Sequence, residues 1–357
     1  MKRTLVLTTA LSMLSMPAFA DVNLLSWGGA YGNSHVEAYV KPFEAKTGTK
    51  VIVSDADNPA TPLKAQVEAG NVTTDVASVE YADAVRLCDE GLLEEIDASI
   101  LLPAPDGTAA ADDFIEGAVT DCFVGTDVYS MIIAYDDSKF ADAKPATPAD
   151  FFDTAKFPGK RTMRKGAKFN LELALMADGV PAADVYATLG TPEGVDRAFA
   201  KLASIKNDVI WWEAGAQPPQ LLADGEVSMA YAFNGRIFDA AVKENKPFKI
   251  VWDGQVYEME GWVVPKGAPN IEQAKEFIAF STASEQQAKA AEYIAYGPPR
   301  KSAAALVGNI VGTEIPMGPN LPTYADNLKS ALASNLDFWV DHDAELNERF
   351  NAWLAAN

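Results

Sequence analysis

The sequence has few of the residues from which most enzyme and metal sites are built. It contains only two histidines, His35 and His342, and two cysteines. Neither histidine has another histidine or a cysteine three or four residues away, and the chain has no Gly-x-Ser-x-Gly, Gly-x-x-x-x-Gly-Lys or Cys-x-x-Cys motif. His35 adjoins a predicted helix start, where a surface position is the simplest interpretation. We therefore expect no catalytic residues, no metal site and no cofactor.

Basic residues are scarce as well. The chain of 357 residues carries 29 lysines and arginines against 50 aspartates and glutamates, which gives a net charge of −21 at pH 7. Such an acidic chain repels phosphate backbones and anionic lipids, so neither nucleic acid nor a membrane surface is an expected partner. A cationic partner fits better. Because 48% of the residues are apolar, the chain can bury one large core or two moderate cores, and its length favours two folded domains.

Long apolar runs are absent beyond the N-terminus. There, a basic pair at positions 2 and 3 precedes about 13 apolar residues and the small-residue sequence Ala18-Phe19-Ala20. This order is typical of a signal peptide over residues 1–20, cleaved after Ala20, so that Asp21 begins the mature chain. The run is shorter than the roughly 20 residues that cross a bilayer. The sequence therefore predicts export to the periplasm.

Export would place the two cysteines in a compartment where they can form a disulfide. In an oxidising compartment an even number of cysteines favours pairing, so we predict a disulfide between Cys88 and Cys122. Two buried free thiols are the alternative, since spacing alone does not give geometry.

Apolar strand-like segments alternate with helical patterns along the chain. A helix is expected after the turn Gly28-Gly29, capped by Asn33 or Ser34, another begins at Thr191-Pro192, and a third is capped by Asn270. A last helical region is expected over 324–354. The alternation predicts an α/β fold with a mostly parallel sheet. The expected strands cover 22–27, 50–53, 74–79, 129–136, 208–212, 227–233, 248–252 and 261–264.

Aromatic and polar residues cluster where the predicted strands end. In an open α/β sheet, ligands bind beyond the carboxyl ends of the strands, so these residues are candidates for a site. Aromatic faces and carboxylates together suit an ammonium group. Trp211 and Trp212 are adjacent on a strand, so only one of them is expected to face a ligand. The candidates are Trp27, Tyr31, Glu80, Tyr81, Trp212, Phe233, Asn234, Arg236, Glu260, Trp262 and Tyr296.

Six short segments follow the predicted signal peptide in order: 25–31 (LSWGGAY), 39–48 (YVKPFEAKTG), 74–77 (TDVA), 222–227 (LADGEV), 234–236 (NGR) and 274–278 (AKEFI). Together they resemble the extracytoplasmic solute-binding proteins of ABC transporters, specifically the spermidine/putrescine-binding branch. The resemblance implies a two-lobed periplasmic binding protein fold of type II. Two hinge strands would cross between the lobes, near 133–135 and 250–252. Residues 21–133 with 254–300 would form lobe 1, and 138–250 with 304–357 would form lobe 2.

The resemblance also implies roles for individual residues. Glu260 matches an acid that holds an ammonium group, and the remaining matches are Trp27, Tyr31, Ser78, Tyr81, Phe233 and Tyr296. Two positions depart from the polyamine pattern, because Arg236 stands where some relatives have an acid and the segment 161–165 is basic.

The main expectation is thus a monomeric periplasmic protein that delivers a polyamine to an ABC permease in the inner membrane. The basic departures favour an alternative ligand with one ammonium and one carboxylate, such as a 4-aminobutyrate-like amino acid. A ferric-ion binder and a secreted enzyme on the same fold are less favoured.

Overall fold

The computed structural model describes residues 21–356, so the predicted signal peptide and its cleavage site lie outside the described residues. Fifteen α-helices within this range surround one nine-stranded sheet. The strands are β1 Val22–Ser26, β2 Val51–Asp55, β3 Val76–Glu80, β4 Val124–Asp136, β5 Arg161–Arg164, β6 Val209–Trp212, β7 Met229–Phe233, β8 Phe248–Val263 and β9 Leu332–Ala333.

The helices cover the sheet, and in residues 21–356 none of them combines the length and the apolar character needed to cross a bilayer. A π-helical segment, Val36–Val40, joins the first two. The helices are α1 Gly29–His35, α2 Lys41–Thr47, α3 Ala60–Glu68, α4 Tyr81–Asp89, α5 Ala110–Asp113, α6 Pro148–Phe152, α7 Asn170–Ala177, α8 Val185–Leu189, α9 Pro192–Ala203, α10 Gln217–Ala223, α11 Asn234–Val242, α12 Ile271–Ser281, α13 Ser284–Tyr293, α14 Lys301–Leu306 and α15 Leu336–Ala355.

The sheet has the strand order β2-β1-β3-β8-β4-β7-β5-β6, with β9 beside β8. The strands β2, β1 and β3 are parallel and form sub-sheet 1, and β7, β5 and β6 are parallel and form sub-sheet 2. Between them β4 and β8 pair antiparallel with each other, β8 with β3 and β4 with β7. The predicted parallel sheet is therefore present as two parallel parts joined by two long antiparallel strands.

The two segments expected to cross between the lobes, near 133–135 and 250–252, lie in β4 and β8. Instead of two separate strands at 248–252 and 261–264, the chain forms one 16-residue strand, Phe248–Val263. The register between β4 and β8 shifts between Met131 and Ile133, close to the residue at which β4 also begins to pair with β7. A bulge at this place bends the strands locally.

The first helix begins earlier than its sequence suggests. Gly28 and Gly29 have φ angles of 65° and 59°, which glycine adopts without strain, and α1 starts directly at Gly29. Asn33 and Ser34 are therefore inside the helix and do not cap it. Thr191 does cap α9, since its Oγ1 accepts a hydrogen bond from the Gly194 amide at 3.1 Å.

Two other helix expectations need correction. The side chain of Asn270 precedes α12 but donates to Asp75 instead of capping the helix. The C-terminal helical region is shorter than expected, because turns occupy the chain before α15 begins at Leu336.

The predicted disulfide is confirmed. Cys88 in α4 is bonded to Cys122, just before β4, with their Cα atoms 6.0 Å apart. The bond ties the helix after β3 to the entrance of β4.

Candidate functional site

A small cavity lies where the two sub-sheets meet β4 and β8. It has an empty volume of about 290 Å³, open solvent included. We call it the inner cavity. Trp27 follows β1, Glu80 ends β3 and Phe233 ends β7, so the carboxyl ends of parallel strands converge on it. Its lining residues are Trp27, Tyr31, Glu80, Tyr129, Phe233, Arg236, Glu260 and Tyr296.

Glu260 is the acid at the centre of a buried hydrogen-bond chain. Its Oε1 accepts from Trp27 Nε1 at 2.6 Å and from Ser78 Oγ at 3.0 Å. Tyr31 Oη lies 3.0 Å from Ser78 Oγ and donates to Asp127 Oδ2 at 3.0 Å. These hydrogen bonds fix the orientation of the Glu260 carboxyl group at the cavity wall.

Glu260 and Asp127, the two acids of this hydrogen-bond network, have no cationic partner among the described residues. Burial raises the pKa of Glu260 well above its usual range, and the nearby Asp127 and Glu80 raise it further. Burial also raises the pKa of Asp127 to about 7, although Tyr31 and Thr126 donate to it. A cation placed in the cavity would lower both pKa values and would be held by the resulting charge.

Arg236 brings an unpaired positive charge to the same cavity. It is 7% exposed, its Nη2 donates to the Trp27 carbonyl oxygen at 3.3 Å, and its Nε has no hydrogen-bond partner. No carboxylate of residues 21–356 forms a salt bridge with its guanidinium. A side chain at Gly29 would place its Cβ 2.5 Å from Arg236 Nη1, so glycine is required where the arginine passes. An unpaired buried guanidinium is a ready site for an anionic group.

The remaining charges next to the cavity neutralise each other. Glu80 accepts from Arg164 Nη1 at 2.8 Å and from Lys168 Nζ at 3.1 Å, and Lys168 Nζ lies 2.5 Å from Glu258 Oε2. Burial alone would raise the pKa of Glu80, but Arg164 and Lys168 lower it to about 2. We call Glu80, Arg164, Lys168 and Glu258 the ion network. It joins sub-sheet 1 and β8 to the β5–α7 region of sub-sheet 2.

Aromatic rings enclose the rest of the inner cavity. Tyr129 lies 5.5 Å from Phe233 and 6.2 Å from Tyr296, and Tyr31 lies 5.7 Å from Tyr296, measured between ring centroids. These apolar surfaces suit a short methylene chain between two charged ends.

Two larger cavities adjoin the inner one. The polar cavity has an empty volume of about 900 Å³ and includes Glu80, Arg86 and Arg164 in its lining. The rim cavity has an empty volume of about 630 Å³ and includes Arg164, Trp212 and Arg236. Arg164 lines both of them but not the inner cavity.

The structure brings seven of the candidate residues together in the inner cavity: Trp27, Tyr31, Glu80, Phe233, Arg236, Glu260 and Tyr296. Ser78 lies directly behind Glu260. Trp212 lines the rim cavity, whereas Trp211 packs on Phe350 of α15, so the adjacent pair does point to opposite sides.

Three candidates lie outside these cavities. Trp262 is fully buried, with Nε1 donating to Ser281 and its ring against His35. Asn234 bridges the Ser130 amide and the Ala295 carbonyl.

The third of these candidates, Tyr81, has its ring against Phe123, with centroids 4.9 Å apart. These three side chains stabilise the walls of the site and do not line it.

His35 is also not at the surface. It is 2% exposed and lies between Tyr31 and Trp262, with ring centroids 4.2 and 4.8 Å away. Burial lowers the pKa of His35 to about 3, so the ring is neutral. Because α1 begins at Gly29, this position falls on the helix face that covers the sheet.

Sequence reasoning missed several residues of the site: Asp127, Tyr129, Arg164, Lys168 and Glu258. Asp127 and Tyr129 lie inside β4 and not at its end. The basic character of 161–165 was the one signal that pointed toward Arg164. In residues 21–356 no group of three or more histidine, cysteine or carboxylate side chains is arranged to hold a metal ion.

With this geometry established, comparison with known proteins is informative. Residues 38–323 match the family model of the bacterial extracellular solute-binding proteins. A gamma-aminobutyric acid-binding protein of Pseudomonas aeruginosa is 46% identical over 335 residues, which cover 94% of this chain and 91% of that protein.

Solved structures agree with the fold. The Atu4243 GABA receptor is 34% identical with a TM-score of 0.79, covering 94% of this chain and 98% of the receptor. The periplasmic binding protein MotA of Agrobacterium tumefaciens B6, in complex with glucopine, is 30% identical with a TM-score of 0.85 and covers 94% and 99%.

Proposed function

We propose that this chain, which belongs to the bacterial extracellular solute-binding proteins and acts with an ABC importer, binds a small zwitterionic amino acid of the 4-aminobutyrate type. Two lobes would close about β4 and β8 to enclose it, with the boundaries expected from the sequence. The enclosed ligand would then be presented to the permease.

The observation that carries this proposal is a pair of ionisable groups in one cavity, an acid and a guanidinium, neither of which has a charged partner among the described residues. Glu260 faces the inner cavity without a cation, and Arg236 faces it without a carboxylate. The other ionic groups at the cavity are already paired within the ion network. A ligand with one ammonium and one carboxylate satisfies both groups at once.

The charges also argue against a diamine. A diamine needs two free acids, but the second acid of the cavity, Glu80, is neutralised by Arg164 and Lys168. The second ammonium would also approach Arg236, and like charges in a desolvated site repel strongly. The polyamine expectation is therefore less well supported than its alternative, in agreement with the 4-aminobutyrate ligands named for two of the relatives.

Each lining residue has a role in this proposal. Glu260, oriented by Trp27 and Ser78, would accept the ammonium group, and Arg236 would donate to the carboxylate. The rings of Tyr31, Tyr129, Phe233 and Tyr296 would pack on the methylene chain.

A thermal-shift screen of residues 21–357 tests this proposal. The ligands are 4-aminobutyrate, putrescine, spermidine and a quaternary ammonium compound. At about 100 times its dissociation constant a ligand adds about 2.7 kcal/mol to the free energy of unfolding. Stabilisation by 4-aminobutyrate, without a comparable effect of the diamine, supports the proposal. Stabilisation by putrescine and spermidine alone would contradict the proposal and would show that the protein binds polyamines.

A further inference from the structure

Polar contacts alone do not fix the side chain of Arg236. Among the described residues that line the inner cavity, it is the one with a cationic side chain. Its Nη2 donates to the Trp27 carbonyl oxygen at 3.3 Å, and its buried Nε has no hydrogen-bond partner. An arginine has many rotamers, and one long hydrogen bond does not select among them. The position of the guanidinium therefore depends on what packs against it.

Two glycines pack against this side chain, and we call Gly29 and Gly215 the glycine pair. Gly29 begins α1, and a Cβ added there would lie 2.5 Å from Arg236 Nη1. Gly215 lies between β6 and α10, and a Cβ added there would lie 2.8 Å from Nε and 3.2 Å from Cδ. Heavy atoms without a bond between them are best separated by about 3.5–4.0 Å. At either position a side chain would therefore displace the arginine.

The two glycines restrain different parts of Arg236. Gly29 borders a nitrogen at the end of the side chain, whereas Gly215 borders Cδ and Nε in its stem. Stem atoms cannot move without carrying the whole guanidinium with them. Gly29 also has a φ of 59°, which strains any other residue, but Gly215 has no positive φ. Alanine at 215 therefore changes the packing around the arginine without straining the backbone.

The glycine pair lies outside the ligand site proper. Arg236 and Phe233 line both the inner cavity and the rim cavity, whereas Gly29 and Gly215 line the rim cavity and not the inner one. The glycine pair thus contacts the arginine without lining the space proposed for the ligand. An effect of Gly215 on ligand binding would pass through the residues that it contacts.

We propose that Gly215 is a positioning residue that, together with Gly29, holds the Arg236 guanidinium at the inner cavity for a ligand carboxylate. The inference rests on the proposed function, in which Arg236 binds that carboxylate. Because neither glycine has a side chain, the backbone itself packs on the arginine and limits its rotamers. Recognition of the carboxylate then depends on the turn after β6 as well as on Arg236.

Gly215→Ala tests the proposal through the ratio of two affinities. Isothermal titration calorimetry gives the dissociation constants of 4-aminobutyrate and butylamine, which carry a carboxylate and a methyl group at the same end. A displaced guanidinium should weaken 4-aminobutyrate about tenfold relative to butylamine. Gly318→Ala is the matched control, because Gly318 also has no positive φ and an added Cβ would meet nothing within 4 Å. Its ratio should equal that of the parent protein.

The two ligands also separate Arg236 from Phe233, whose Cδ2 would lie 3.1 Å from the same added Cβ at Gly215. Displacement of Phe233 alone would weaken both ligands alike, since both have the methylene chain that packs on this ring. An equal loss for both ligands overturns the proposal. A ratio within about twofold of the parent value overturns it as well.

Melting temperatures cover the case in which Gly215→Ala destabilises the protein. The fall in melting temperature should be smaller when Gly215→Ala is made in an Arg236→Ala background, because the crowded Cδ and Nε are then absent. An equal fall in both backgrounds would assign the clash to Phe233 and overturn the proposal.

A crystal structure of the Gly215→Ala variant without ligand gives a readout that does not depend on the proposed function. The Arg236 guanidinium should have moved out of hydrogen-bond distance of the Trp27 carbonyl oxygen. If the parent protein binds putrescine and not 4-aminobutyrate, the proposed function is wrong, but this displacement still tests Gly215. An unchanged conformation of Arg236 in the variant overturns the inference.

Discussion

Trp27 donates a hydrogen bond of 2.6 Å from its indole Nε1 to Glu260 Oε1, although the two residues are separated by 233 positions in the chain. Ser78 donates to the same oxygen. Both donors act on Oε1, and no donor of the described residues is hydrogen-bonded to Oε2. The carboxyl group is thus oriented by one oxygen and leaves the other for a ligand.

Removing the charge of Glu260 should abolish most of the affinity. Glu260→Gln keeps the size of the side chain but loses the charge that pairs with an ammonium group, so binding of 4-aminobutyrate should weaken about a hundredfold. Calorimetric titration gives the dissociation constant. Glu213→Gln is the matched control, because Glu213 is an acid of the rim cavity that pairs with the exposed Lys165. Equal affinity of the Glu260 variant and the control for 4-aminobutyrate would show that Glu260 does not bind the ligand.

Arg236 should be needed for the carboxylate end alone. Arg236→Met is expected to weaken 4-aminobutyrate about a hundredfold and to leave butylamine, which has no carboxylate, within a fewfold of the parent value. The comparison of the two ligands separates loss of an ion pair from loss of packing. Arg197→Met, at an exposed position on α9, is the control. A variant at 236 that binds both ligands unchanged would show that Arg236 is only a structural residue.

Trp27 should contribute through its indole nitrogen as well as its ring. Trp27→Phe keeps an aromatic surface but leaves Glu260 without one of its two donors. We expect about tenfold weaker binding of 4-aminobutyrate, measured by competition or calorimetry. Trp353→Phe, in α15 and far from the cavity, should bind as the parent does. Unchanged affinity of the Trp27 variant would contradict the orienting role.

Much of the fold could be predicted from the sequence because the strand and helix patterns are local. The ends of the parallel strands were also enough to find Trp27 and Glu80, since ligands bind where parallel strands end. Glu260 was found because it precedes the strand expected at 261–264, although it lies within β8. Asp127 and Tyr129 were missed because they lie within β4, and only the position of its neighbouring strands shows that this part of β4 borders a cavity.

The error at Trp262 has a simple geometric cause. Glu260 and Trp262 are two residues apart on β8 and therefore point to the same face of the sheet. Trp262, however, lies about 7 Å further from the cavity edge, where His35 and Tyr39 cover it. The sequence gives the face of a strand but not the extent of the helix that covers it.

The network partners of Glu80 were missed for a related reason. Arg164 ends β5 and Lys168 follows it, whereas Glu80 ends β3, and more than 80 residues separate them from Glu80. Their pairing depends on how sub-sheet 2 is placed against sub-sheet 1. Local patterns carry no information about that placement.

Glu172 should make the folded state less stable as the pH rises. It is buried and accepts from Trp339 Nε1 at 2.7 Å and from Tyr186 at 2.9 Å, and burial raises its pKa to about 7. The unfolded carboxyl group ionises near pH 4.3, so between about pH 4.3 and 7 the folded state holds a proton that the unfolded state has lost. The free energy of unfolding therefore falls across this range and levels off above pH 7.

Glu172→Gln removes this dependence. Relative to the parent, the variant should gain on the order of 3 kcal/mol between pH 4.3 and pH 8, measured by urea denaturation at both values. Glu193→Gln, at an exposed position in the first turn of α9, is the control. A difference between variant and parent that is the same at both pH values would contradict the assignment.

The disulfide should stabilise the fold without affecting the ligand. Cys88 and Cys122 close a loop of 34 residues, so the double serine variant should lose about 3–4 kcal/mol of unfolding free energy. Neither residue lines the inner cavity, so the affinity for 4-aminobutyrate should be unchanged. A loss of stability below about 1 kcal/mol would mean that the unfolded chain gains little freedom when the bond is absent.

The central claim is that one ligand satisfies Glu260 and Arg236 together. Calorimetric titration of the parent protein with 4-aminobutyrate, butylamine, butyrate and putrescine tests it most directly. We predict that 4-aminobutyrate binds about a hundredfold more tightly than either analogue with a single charge, and more tightly than putrescine. Binding of butylamine or putrescine as tight as that of 4-aminobutyrate would contradict the claim, because Arg236 would then hold no carboxylate.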